Sequence, residues 1–196
     1  YLPLNTAYQA AEIDYFVGNA EPALVVCAPG SAEWITPIAK QHRVKHVMTL
    51  GDDRTGSLLD AAARQPDRFR TVRRAPDDMA AILYTSGTTG RSKGAMLSHD
   101  NLASNAQVLK HYWRWRRGDV LLHALPIFHV HGLFVASHGA LMNGSRMIWL
   151  PKFDAGEVVR RLPRATVFMG VPTMYVRLLD EPAFDANACR NMRLFV

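Results

Sequence analysis

Cysteine is scarce, with two in 196 residues. That is too few for a disulfide-stapled scaffold. Cys27 lies in the apolar run 23–28 and Cys189 in a polar turn, with no C-x-x-C spacing and no companion histidine cluster, so a zinc centre is not expected either. A reducing compartment, the cytoplasm, is the simplest reading. Long hydrophobic runs are also missing. The most apolar region, 129–150, is interrupted by His131, His138, Asn143, Ser145 and Arg146. It cannot supply the roughly 20 unbroken apolar residues of a membrane span, and no membrane partner is expected. No basic leader precedes an apolar core, so neither a secretory signal nor a transit peptide is readable. The chain opens on Tyr1 rather than Met and closes on the apolar "NMRLFV", and it reads as a fragment. With its native N-terminus missing, a mitochondrial location stands as the alternative to the cytoplasm. Lysine is sparse, 5 against 18 arginines, and the formal net charge is +6. Such a surplus suits phosphates and acidic substrates, and it also suits nucleic acid.

What is present is a globular pattern. Hydrophobic residues make up 48% and charged residues 20%, which supports a packed core and excludes disorder. Apolar β-rich runs alternate with helical patterns: a strand at 23–28, a helix over 31–42, a strand at 46–50 and a helix over 57–65. A polar stretch with Arg and Pro follows. Strand "AAILYTS" then leads through a loop to the short strand "GAMLS", a helix over 100–113 and a strand in 119–127. An apolar helix over 130–142, the strand "SRMIWLP", a helix over 155–162, the strand "ATVFMGV", a helix over 172–179 and a final strand complete the order. Near-continuous apolar strands alternating with helices predict an α/β fold with a mostly parallel sheet covered by helices. Residues 1–65 form a first βαβα unit, 66–78 a linker and 79–196 a second subdomain. No internal repeat or low-complexity segment is seen.

The loop in "YTSGTTGRSKGAMLSH", 84–99, carries the most chemistry. A strand that ends in Ser, Thr and Gly presents hydroxyls and backbone N–H groups at close range, because glycine has no Cβ to hold a ligand away. Lys93 adds a mobile charge that can follow phosphate oxygens, and Arg91 sits at the rim. The spacing fits neither a Walker A loop, since Ser92 stands where its second Gly belongs and Gly94 follows Lys93, nor the dinucleotide G-x-G-x-x-G. On residues alone, a phosphate cradle and an ordinary turn-rich hairpin are equally good readings.

His129 follows a Pro-containing strand end and precedes a helix, where open α/β sheets present groups to ligands. A core histidine with one satisfied hydrogen bond is the competing reading, and four histidines between 123 and 138 dilute the signal. His131 is less clear, and His123 and His138 are assigned to structure. "YWRWRRGD", 112–119, has the composition of a single-stranded nucleic-acid platform, yet no second stacking platform stands beside it. A helix end with Trp rings on the sheet and Arg heads in water is preferred.

"YTSGTTGRSKGAMLSH" resembles the signature phosphate loop of the adenylate-forming enzymes, the acyl-CoA synthetases, luciferases and peptide-synthetase adenylation domains. "ALPIFHVHGL", 124–133, and "GVPTMYVRLL", 170–179, are similar to segments around that family's acyl pocket, and "YLPLNTAY" to its early N-terminal-domain segment. The wording of the two pocket segments is most similar to the malonyl-CoA synthetases. The resemblance implies that the chain is a piece of the large N-terminal domain of such an enzyme. It implies that Thr85, Ser86, Gly87, Thr88, Thr89, Gly90 and Lys93 hold the ATP β- and γ-phosphates, and that His129 stands beside the acyl carboxylate. Arg177, on the helix over 172–179, is a candidate partner for the second carboxylate of a dicarboxylic substrate. Its competing reading is a solvated helix face. ATP, Mg²⁺ and coenzyme A are the implied cofactors, small molecules the implied substrates, and a missing C-terminal domain the implied partner. No metal ligand is assigned and no nucleic acid is expected. The family's Y-G-x-T-E segment, ribose-binding Asp and adenylation Lys are not found here, and the fragment alone is expected to be inactive. The alternative is a basic nucleic-acid or partner-binding module.

Overall fold

The computed structural model describes residues 1–85 and 92–196. It divides into two compact units, one of residues 4–73 and one of residues 1–3 with 74–196.

In the 4–73 unit, helix α1 spans Ala10–Ala20 and was not foreseen in the strand–helix alternation. Its apolar residues Ile13, Phe16 and Val17 recur at helical spacing and are buried. The Glu12 carboxylate accepts the Gln9 backbone N–H at 2.8 Å, which fixes the helix start. Strand β1, Leu24–Cys27, and strand β2, His46–Thr49, pair in parallel, with Val25 opposite Val47. Helix α2, Ala32–Gln41, makes the crossover and buries Ile35 and Ala39. Helix α3, Ser57–Ala63, follows a turn in which Gly56 takes a φ of +122°. A Cβ there would lie 2.4 Å from the Thr49 carbonyl oxygen, so only glycine fits.

The larger unit holds an antiparallel hairpin and a parallel sheet. Strand β3, Met79–Thr85, pairs with β4, Lys93–Ser98, in a register that sets Leu83 opposite Ala95 and Thr85 opposite Lys93. Helix α4, His99–Tyr112, follows at once, with the Ser98 hydroxyl accepting the Asn101 N–H at 3.1 Å as its cap. Strand β5, Val120–His123, is buried at every residue, as a central parallel strand must be. A π-helix, His131–Ser137, continues into helix α5, His138–Asn143. The expected single apolar helix over 130–142 therefore has a widened first half. Strand β6, Arg146–Trp149, helix α6, Ala155–Arg161, strand β7, Val167–Phe168, helix α7, Pro172–Leu179, and strand β8, Leu194–Phe195, complete the order.

The parallel sheet runs β6-β5-β7-β8. One face is covered by α6, α7 and their neighbours through Leu122, Val158, Leu162, Phe168 and Leu178. The other is covered by the helical segment 131–143 and Trp115 through Leu121, Ala136, Ala140 and Val167. Trp115 lies in that core while Arg114, Arg116 and Arg117 are exposed, as expected of a helix end rather than a stacking platform.

The strand starts are tied by a network that joins residues 74 positions apart. Asp119, just before β5, accepts Thr166 Oγ1 at 2.9 Å, Arg193 Nε at 2.8 Å and the Arg116 N–H at 2.6 Å. Arg193 Nη2 pairs with the second carboxylate oxygen, and Arg193 Nη1 donates to the Trp113 carbonyl at 3.1 Å. Thr166 stands just before β7 and Arg193 just before β8, so one carboxylate gathers three strand starts. Burial works to raise the Asp119 carboxyl, but hydrogen bonds from Arg193, the Arg116 N–H and Thr166, with the Arg193 charge, hold it below the usual carboxylate range.

Candidate active site

Strand order decides where a ligand belongs. From β5 the chain crosses to β6 on one side, and from β7 it proceeds to β8 on the other. The connections therefore diverge between the neighbours β5 and β7, and the crevice of such a sheet lies outside the carboxyl ends of those two strands. Two segments emerge there. After β5 come Ala124 to His129, and after β7 come Met169, Gly170 and Val171, which lead into α7.

His129 lies in the first segment and is exposed, with its ring 4.6 Å from that of Phe128. Its backbone N–H reaches the Pro126 carbonyl at 3.5 Å and its carbonyl accepts the Leu133 N–H at 3.0 Å, so the turn leads directly into the helical segment. Gly132 makes this turn possible. A Cβ at that position would lie 2.3 Å from the Pro126 carbonyl oxygen. Arg177 is exposed on α7, with its guanidinium carbon 4.9 Å above the centre of the Phe153 ring. Tyr175, on the same helix, donates its hydroxyl to the Val196 carbonyl at 2.7 Å, and Leu178 is buried beneath it.

The hairpin brings a third element. Residues 81, 83 and 85 share one face of β3, and their partners Leu97, Ala95 and Lys93 share it across the ladder. Ala81, Leu83 and Leu97 pack on Leu102 of α4 and on Leu133 and Phe134 of the π-helix. Thr85 and Lys93 therefore continue the packed face at the open end of the hairpin, both exposed, with Thr85 Oγ1 3.5 Å from the Lys93 carbonyl. Ser86, Gly87, Thr88, Thr89, Gly90 and Arg91 lie outside the described residues. The helical segment after His129 is thus the common support of the hairpin and the sheet.

His123 and His138 were assigned to structure, and both are at least half-buried. His123, the last residue of β5, is 1% exposed, with its ring stacked on Trp149 at 4.3 Å. Its Nε2 is 2.9 Å from the Gly132 carbonyl oxygen, and Ser137 Oγ donates to the same oxygen at 2.9 Å. Burial drives the His123 pKa down, with the nearby His131 adding to the fall and the Gly132 carbonyl opposing it. The ring is therefore neutral, and Nε2, facing an acceptor, carries its proton. Burial lowers the pKa of His131 and His138 as well.

The sequence model of the AMP-binding enzyme family matches residues 1–196, the whole chain. The chain belongs to the AMP-binding enzyme family. Among relatives in this family, the mitochondrial malonate–CoA ligase ACSF3 of Mus musculus is 36% identical over 185 residues, covering 91% of this chain and 31% of that protein. The malonate–CoA ligase of Arabidopsis thaliana is 32% identical over 216 residues, covering 100% of this chain and 36% of its own. Among solved structures, ATP-bound MatB from Rhodopseudomonas palustris is 57% identical with a TM-score of 0.96, covering 100% of this chain and 39% of that one. The chain thus spans about a third of the length of the curated relatives that it matches.

Within this AMP-binding fold, the structure brings Thr85 and Lys93 together at the hairpin end and sets His129 and Arg177 on segments that leave the carboxyl edge of the sheet. The hold of His123 and Ser137 on Gly132 was not foreseen. Its partners lie 9 and 5 residues from Gly132, and no motif marks them. The one sequence signal is a glycine inside an apolar helical pattern, which points to a close approach.

Proposed function

We propose that this chain forms the phosphate-loop and acid-binding part of an ATP-dependent acid–CoA ligase that acts on malonate or a methylated malonate. One observation carries the reading: the family's loop sequence, "TSGTTGRSK", is strung between the paired ends Thr85 and Lys93 of a hairpin packed on the helical segment that follows His129. In this reading Thr85, Ser86, Gly87, Thr88, Thr89, Gly90 and Lys93 hold the β- and γ-phosphates, with Lys93 following the charge of departing pyrophosphate. His129 stands beside the acid carboxylate, and Arg177 pairs with the second carboxylate. The names of the malonate–CoA ligase relatives and the ATP-bound state of MatB support it. The acid carboxylate attacks the α-phosphate to give acyl-AMP and pyrophosphate, and the coenzyme A thiol then takes the acyl group with release of AMP. What the residues supply is positioning and charge.

Magnesium belongs to the same reaction, but among the described residues no three His, Cys, Asp or Glu side chains gather to hold a metal. The division into 1–65, a linker 66–78 and a functional subdomain 79–196 belongs to the same proposal. A cytoplasmic location and a separate C-terminal domain complete it. Among the described residues, no feature of the fold favours a basic nucleic-acid module.

The test is malonate-dependent release of pyrophosphate from ATP by the intact ligase, in wild type and in Lys93→Ala. Loss of a charge-assisted contact worth about 1.5–3 kcal/mol is expected to lower kcat/KM for ATP by roughly 10- to 150-fold. An unchanged value removes Lys93 from the phosphate site, and no malonate-dependent pyrophosphate in wild type removes malonate as the substrate.

A further inference from the structure

We propose that His123 is a positioning residue for the acid-binding end of the sheet, acting through the Gly132 carbonyl to hold the π-helical turn and with it the backbone at His129. The inference rests on the reading of His129 as the residue beside the acid carboxylate.

The Gly132 carbonyl oxygen receives two side-chain donors, His123 Nε2 and Ser137 Oγ, each at 2.9 Å, and the two donors are 3.2 Å from one another. All three residues are buried. A helical carbonyl ordinarily needs no side-chain partner, because the backbone of the next turn supplies one. Here the turn is a π-helix, His131–Ser137, a wide and rare geometry often met at functional sites. The two side-chain donors meet on a carbonyl of its first turn. His123 Nδ1 is buried without a hydrogen-bond partner among the described residues. An orphaned buried nitrogen is unfavourable, so packing against Trp149 alone would be served better by an apolar ring. The nitrogen facing Gly132 is what justifies a histidine.

Gly132 transmits the hold in both directions. Toward the site, it abuts the Pro126 carbonyl, the same oxygen that receives the His129 N–H, and a Cβ would stand only 2.3 Å from it. A rotation of Gly132 therefore reopens the Pro126–His129 turn. Away from the site, the same turn packs Phe134 on the hairpin and Ala136 on the sheet. The hairpin has its own ladder and its contact with α4, so it is held without His123. Loss of His123 should be felt at the acid more than at the nucleotide.

The experiment compares His123→Leu, which keeps bulk and removes the donor, with His123→Gln, which keeps an N–H donor, in the intact ligase. His123→Leu is expected to raise the KM for malonate about tenfold or more, with the KM for ATP changed less than about threefold, and His123→Gln to recover most of the loss. Amide exchange across 126–137 is expected to quicken in His123→Leu and to stay near wild type in His123→Gln. Ser137→Ala removes the second donor from the same carbonyl and is expected to move both readings the same way. It decides the matter where His123→Leu does not fold. Equal defects in the Leu and Gln variants, equal losses for malonate and ATP, or unaltered exchange across 126–137 would overturn the proposal. His129→Ala separates the two readings: unchanged malonate kinetics in that variant removes His129 from the site, while the exchange comparison still judges what His123 holds.

Discussion

The Arg177 guanidinium carbon lies over the Phe153 ring, 4.9 Å from its centre. A cation–π contact of this kind contributes about 0.5–1 kcal/mol at an exposed position. An arginine restrained in this way loses less freedom on pairing with a carboxylate than a freely rotating side chain does. In the proposed ligase, Arg177→Ala is expected to lower kcat/KM for malonate by about 30-fold or more, because the second carboxylate is then desolvated without a partner at a cost of at least ~2 kcal/mol. Propionate has no second charge, so its kcat/KM is expected to hold or rise. Steady-state rates for both acids in both proteins give the comparison. Equal losses would leave Arg177 as a scaffold residue on Phe153, and the ligase reading, which stands on the phosphate loop, would survive.

Elements meet through a few long-range polar ties, and these set the larger effects on stability. Asp119 and Arg193 have side-chain exposures of 3% and 20%, so removing one partner strands the other in the fold. Asp119→Ala is expected to destabilise by about 3–5 kcal/mol in denaturant unfolding. The sign with pH follows from the depressed carboxyl: its contribution is full above the unfolded value of about 3.9 and disappears as pH falls through the lower folded value. Asp119→Asn should therefore show a shallower loss of stability in acid than wild type, and parallel pH curves for the two would refute this account. Gly132→Ala is expected to cost about 1–3 kcal/mol, because a Cβ meets the Pro126 backbone rather than a side chain that can move. Gly30→Ala, where nothing lies within 4 Å, is the control and should be neutral or stabilising by up to about 1 kcal/mol. The strands of the sheet were legible because continuous apolar runs such as "DVLLHALPI" have one comfortable place, inside a parallel sheet. The hairpin that pairs Thr85 with Lys93 was one of the two readings that the loop residues allowed, because turn residues between two apolar runs are a dense local mark. Helix α1 was not, since only three residues in 10–20, Ile13, Phe16 and Val17, form its buried stripe. Nor were the ties of Asp119 to Arg193 and of His123 to Gly132 and Ser137, because pairing across 74, 9 and 14 positions is decided by strand order and by the π-helical turn, neither of which has a local mark.

At the scale of the whole molecule, the chain spans about a third of the length of the relatives that it matches, and in the proposed reading it supplies one hairpin and one sheet edge of the site. The described residues bring no metal-binding group together, and in the proposed reading the segments that leave β5 and β7 offer the acid side of the reaction. Acyl adenylate formation needs the triphosphate, the metal and the acid held at once, since its acceleration comes from positioning and charge rather than from a nucleophile of the protein. The 196-residue chain by itself, supplied with malonate, ATP, Mg²⁺ and coenzyme A, is therefore expected to release no pyrophosphate above the uncatalysed rate. The formal charge of +6 makes a second measurement informative on the same preparation. Non-specific attraction to an oligonucleotide falls steeply with salt and is indifferent to ATP, whereas a phosphate loop binds triphosphate in competition with other nucleotides. Pyrophosphate release by the isolated chain would show that it contains a complete site and would overturn the division of labour proposed here. Tight oligonucleotide binding that survives physiological salt and ignores ATP would return the basic binding module to first place.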